Sequence, residues 1–149
     1  MSNIDRALIF IFLSGIPWTL HAGSNYFLCN TSKGTLSLTS FGETLIYEMN
    51  SQHGNKFQFI SDGPMYSGFF YNHYSRFQTD YFSVSFIQSG YKYSVFSNYD
   101  NGSNMRGVSV IDMKTKKEYV YNCKDYKVDR LYNLKKKLKC DINNVLSCQ

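Results

Sequence analysis

Residues 81–98 read YFSVSFIQSGYKYSVFSN, two runs of alternating residues joined by Ser89-Gly90. In the first run Phe82, Val84 and Phe86 share one side, and Tyr81, Ser83, Ser85 and Ile87 share the other. In the second, Tyr91, Tyr93 and Val95 alternate with Lys92, Ser94 and Phe96. A period of two with β-branched and aromatic residues, broken by a two-residue turn containing Gly, is the signature of a β-hairpin with one face buried and one mixed. The same alternation extends outward over residues 25–29, 35–39, 44–49, 56–60, 68–74, 107–113 and 118–123. Gly, Asn, Asp and Pro separate these runs at 32–34, 41–43, 53–55, 62–64 and 100–102. Short strands at regular spacing, without helices between them, predict an all-β antiparallel sandwich or barrel of about eight to nine strands.

After Cys123 the period changes. Val128, Leu131, Leu134 and Leu138 recur at helical spacing, with Lys135, Lys136 and Lys137 largely on other faces. This pattern predicts one amphipathic helix over residues 127–139, packed on the sheet by its leucines.

The chain of 149 residues is short enough for one domain. Residues 1–22 carry Arg6, the apolar run 7–20 and Ala22, the order of a secretory signal peptide. The run is shorter than a membrane span needs. Cleavage after Ala22 would leave residues 23–149 as a single secreted β-domain with a basic C-terminal part. All four cysteines, Cys29, Cys123, Cys140 and Cys148, lie within residues 23–149. An even count in an exported chain implies disulfides, with three pairings open. We favour Cys29–Cys123, tying the first strand to the last, and Cys140–Cys148, closing a short tail loop. Neither CxxC nor His spacing suits zinc.

Net charge is +5, and it is uneven: ten Lys or Arg lie from Lys114 onward against Glu118, Asp125, Asp129 and Asp141. Such a tail suits a solvated face, an acidic partner or an anionic membrane surface; export argues against nucleic acid.

The sequence carries no recognisable catalytic or cofactor signature. His53 sits in a turn, His73 in an aromatic strand, and Glu43 and Glu48 form no glycosidase-like pair. No phosphate loop, GxSxG or HExxH occurs. The expectation is therefore a binding protein, not an enzyme, with no cofactor or metal. In residues 69–86 (FFYNHYSRFQTDYFSVSF) alternation assigns Phe69, Tyr71 and His73 to the core side, so most of the aromatic density is packing. The remaining outward candidates for a protein-docking edge are Asn72, Tyr74 and Arg76, then Lys92, Tyr99, Asp100, Asn101 and Arg106. Tyr and Arg are the types that anchor protein interfaces.

Residues 90–99 (GYKYSVFSNY), followed by Gly107-Val108-Ser109-Val110, a basic turn and residues 119–123, with Tyr26-Phe27-Leu28-Cys29 just after the leader, resemble small periplasmic proteins of Gram-negative bacteria. Some of those are immunity proteins that neutralise antibacterial toxins, including type VI secretion effectors. The resemblance implies a periplasmic inhibitor that occludes the active site of a toxin or lytic enzyme. A fainter one is Ser67-Gly68-Phe69-Phe70-Tyr71, similar to the SGxxY element of periplasmic inhibitors of c-type lysozyme, which would make Ser67 and Tyr71 the contact positions. The third reading is a secreted surface-binding or virulence module that uses the basic tail.

Overall fold

The computed structural model describes residues 23–146 and Cys148; the proposed signal peptide lies outside them. Ten strands follow in chain order: β1 Ser24–Thr31, β2 Gly34–Phe41, β3 Thr44–Ser51, β4 Lys56–Ile60, β5 Phe70–Arg76, β6 Thr79–Gln88, β7 Tyr91–Asp100, β8 Ser103–Asp112, β9 Glu118–Asp129 and β10 Lys139–Cys140. They form one sheet in the order β10-β5-β6-β7-β8-β9-β1-β2-β3-β4. All pairs are antiparallel except the short β10 beside β5. This is a curled half-barrel, with neither the two separate sheets of a sandwich nor a closed seam. Consecutive strands pair as two meanders, β1–β4 and β5–β9, and β9 joins them. Its first half pairs with β8 and its second half with β1.

The hairpin of residues 81–98 forms with Ser85 opposite Ser94 and Gln88 opposite Tyr91. Ser89 (φ 52°) and Gly90 (φ 81°) both take positive φ, the two-residue turn whose twist matches the strands. Gly34 is required for another reason. Its φ is 144°, and a Cβ there would lie 2.0 Å from the Asn50 carbonyl oxygen across the β2–β3 pair.

Curling brings β3 and β4 over β6 and β7, where aromatic rings meet. Phe86, 1% exposed, stacks on Phe59 at 4.3 Å and on Tyr93 at 4.9 Å, with Tyr47 at 4.9 Å and Phe69 at 5.4 Å. Leu36, Leu38, Leu45, Val84, Val95 and Val108 continue this core. The core side of the opening hairpin is Phe82, Val84 and Phe86, as its alternation predicts.

Residues 127–139 do not form a helix. β9 runs on to Asp129, a single 3-10 turn covers Leu131–Leu134, and β10 follows. The leucine spacing is nevertheless used: Leu131 and Leu134 are fully buried and Leu138 is 8% exposed. Short turn bonds, Lys135 N–H to Tyr132 O and Lys137 N–H to Leu134 O, point these side chains inward without a continuous helix. The residues before Leu131 are held by β1, with Leu28 opposite Val128 and Phe27 opposite Asp129.

Both favoured cysteine pairs are at bonding distance. Cys29–Cys123 ties β1 to β9, and Cys140–Cys148 closes the tail. Two disulfides suit an oxidising compartment.

Candidate functional site

Two surface features stand out, a shallow trough on the outer face of β5–β9 and the tail loop beside it. The trough has a volume of about 440 Å³. Its floor is made of small residues, because the strands there carry Ser and Gly outward: Ser83 lies opposite Phe96, which lies opposite Gly107. A Cβ on Gly107 would sit 2.2 Å from the Tyr121 carbonyl oxygen, so β8 and β9 approach closely where that floor is backbone alone. Ser109, nearly buried, donates to Glu118 Oε1 at 2.5 Å and holds that carboxylate at the wall.

The tail loop runs from Cys140 to Cys148, and both its ends lie along β5. Cys140 pairs beside Tyr71 and Cys148 beside His73. The Asp141 N–H bonds the Tyr71 carbonyl at 2.8 Å, and the Asp141 carboxylate takes an ion pair from Lys92 at 2.5 Å. Between these anchors Ile142 is 85% exposed and Val145 98% exposed. Ile142 and Val145 were not singled out by the sequence reading. The aliphatic pair inside a short cysteine loop, too small to bury a core of its own, was the available signal.

The predicted docking residues divide. Tyr74, Arg76 and Asp100 gather at one end of the trough: Tyr74 and Tyr81 rings are 6.1 Å apart, Arg76 lies over Tyr74, and the Tyr81 hydroxyl donates to Asp100 Oδ2 at 3.1 Å. That bond is the main cause that raises the Tyr81 pKa. Asn101, at the exposed turn, donates to Asp100 Oδ1. Tyr99 is opposite Asp80 and shares the other side of the sheet. Arg106, read as outward, faces the core side. It pairs with Asp129 at 2.5 Å, beside a Ser97 hydroxyl bond to the same oxygen, and lies 4.2 Å from the Tyr126 ring centre. One-residue alternation decides the face, and Gly107 between Arg106 and Val108 gave no side chain to fix it. Ser67 is exposed in the β4–β5 connection, and Tyr71 turns its half-buried ring inward onto Phe82.

His73 is buried, with Asp80 Oδ2 3.3 Å from Nε2, Lys135 Nζ 2.9 Å from Nδ1, and the Tyr132 ring edge-on at 5.3 Å. Both ring nitrogens thus have partners, which suits a packing role. Lys135 is therefore tied into the fold, and so is Lys137. The Lys137 ammonium donates to the Tyr26 hydroxyl at 2.8 Å. Burial resists ionisation of Tyr26, but the hydrogen bonds from Lys137, Tyr66 and Ser40 outweigh it and lower its pKa; the Tyr26 bond in turn raises that of Lys137. Lys136 stays exposed. His53 is exposed in its turn, and Glu48 is paired with Lys56 at 2.7 Å. Among the described residues no group of three or more His, Cys, Asp or Glu could hold a metal ion.

Comparison with protein-family models, with curated proteins and with solved structures finds no match for this chain.

Proposed function

We propose that the protein is an exported binding module that inhibits a partner protein by inserting its tail loop into the partner's active-site cleft. The partner class is an antibacterial toxin or a cell-wall lytic enzyme in the periplasm. The observation that carries this reading is the pair Ile142 and Val145, aliphatic and almost wholly exposed on a loop that a disulfide closes. Two aliphatic side chains held out to water on one short loop leave water only when a partner covers them, which favours association. A closed loop has already lost much of the freedom that binding would otherwise remove, and this strengthens association. The Lys92–Asp141 pair and the β5 contacts hold the loop in place from both ends. The lysozyme-inhibitor reading has less support, because it relies on Tyr71, whose ring packs on Phe82.

The test is capture of partners from an extract of the source cells by oxidised residues 23–149, at low and high salt. The expected result is one stoichiometric, salt-resistant protein that is lost when Ile142→Asp and Val145→Asp are combined. Both positions are exposed, so the substitutions leave stability nearly unchanged. A partner retained by the double variant overturns the loop reading. Recovery that is only diffuse and salt-labile overturns the inhibitor reading in favour of the basic tail.

A further inference from the structure

The trough on β5–β9 has a lining that the tail-loop reading does not use. We propose that it is a binding site for a neutral saccharide, of the size of one or two pyranose rings. Its lining argues against an anion, a cation and a peptide strand in turn. None of the described residues that line it is Lys or Arg, on a chain of net charge +5, so a phosphate or carboxylate meets no cation there. Glu118 is the one carboxylate among the described lining residues, held at the wall by Ser109, and a lone carboxylate on a chain of net charge +5 is a weak lure for a cation. A peptide strand would add at a sheet edge, where backbone groups are unpaired, whereas this surface is the face of five paired strands.

What the trough offers is a set of carboxamides over an apolar bed. Asn72, Asn98, Asn122 and Asn144 line it; Asn72 is buried and already engaged, and the carboxamides of the other three face the trough as groups that donate and accept. Sugar hydroxyls do the same, so one amide can serve two neighbouring hydroxyls. Among the described residues no hydrogen-bond partner occupies the side chains of Asn98 and Asn122, while Asn144 is fixed by accepting the Leu146 N–H at 3.0 Å. Between them Phe96 presents a half-buried ring, with Met105 (46% exposed) and Val120 (50% exposed) beside it. A pyranose has an apolar C–H face and a rim of hydroxyls, and this bed and these amides match the two parts. The volume of about 440 Å³ falls within the range of small-molecule sites. Gly107 keeps the floor low, since any side chain there would strike the Tyr121 carbonyl.

The experiment is an amide nitrogen–proton NMR titration of oxidised residues 23–149 with maltose, cellobiose and N,N′-diacetylchitobiose. Saturable shifts at Ser94, Asn98, Ser109 and Asn122 with at least one of these are expected. Combining Asn98→Ala with Asn122→Ala removes two hydrogen-bonding side chains and weakens binding about tenfold or more, the equivalent of ~1.4 kcal/mol. Ser94→Trp, which fills the floor, abolishes the shifts; if that variant misfolds, the alanine pair alone decides. Shifts that are absent for all three sugars, that do not saturate, or that survive in the alanine pair overturn the proposal. None of these variants touches Ile142 or Val145, so failure here and failure of the tail-loop reading are separate results.

Discussion

If the aromatic cluster holds the two meanders together, replacing Phe86 by Leu keeps most of the buried volume but deletes four ring contacts. These are to Phe59 at 4.3 Å, Tyr47 and Tyr93 at 4.9 Å, and Phe69 at 5.4 Å. Aromatic pairs contribute about 0.5–1.5 kcal/mol each beyond area burial. The low end over four pairs gives ~2 kcal/mol, taken low because such pairs share partners and do not add. That is a large part of the ~5–15 kcal/mol total of a small domain. With a urea slope of about 2 kcal/mol per molar, the midpoint should fall by about 1 M. Phe86→Ala also opens a cavity and should cost ~3–5 kcal/mol. The assay is equilibrium urea unfolding with both disulfides intact, for Phe86→Leu, Phe59→Leu and the pair. A coupling of about 0.5–1.5 kcal/mol between the two is expected. A loss below about 0.5 kcal/mol for Phe86→Leu, the range of a surface change, together with no coupling, would refute the argument.

Asp129→Asn should cost about 1–3 kcal/mol, because Arg106 is left half-buried without its counter-charge, and Arg106→Met with Asp129→Leu should recover most of it; urea midpoints decide. Replacing Cys29 and Cys123 by Ser frees a loop of 94 residues' separation and should cost roughly 4.5 kcal/mol, against roughly 2.5 kcal/mol for Cys140 and Cys148 at a separation of 8, by loop-closure entropy. Equal losses in urea unfolding would contradict that model. Burial and then Tyr93 push the Tyr47 hydroxyl well above its ordinary pKa. Its contribution is therefore intact below the unfolded value near 10 and is lost as pH rises, by about 1.4 kcal/mol per pH unit. Tyr26, lowered, pulls the other way. The readout is therefore the difference between the native chain and Tyr47→Phe, whose alkaline loss should be smaller.

The nine strands of the two meanders were legible because each is a local pattern closed by a local turn. The core side of the hairpin followed from Phe82, Val84 and Phe86 alone. The end of the chain was not legible, because its structure is set by distant partners. β9 continues to Asp129 only because β1, about a hundred residues earlier, pairs with it. Leucines spaced for a helix can equally be buried by a 3-10 turn when the strand before them fixes their approach. The candidate surface was half legible. Tyr74, Arg76 and Asp100 meet because registers across β5, β6 and β7 place them together, which pairwise alternation allows but does not specify. Arg106 went to the wrong face, and the trough exists only once five strands are aligned.

β9 carries a further consequence. Among the described residues its two halves make the strand pairing that connects β8 to β1. Cut after Asp112, the chain would keep β1–β4 and β5–β8 and lose β9 together with the buried Leu131 and Leu134 and β10. A synthetic peptide spanning residues 118–149 would then be a key that fits a two-sided lock, bringing back β9, the buried leucines and β10, and Cys123 would fasten it to Cys29 once oxidised. The fold is in this sense divisible at the β8–β9 turn, into a body of eight strands and the strand-and-tail segment that joins its halves.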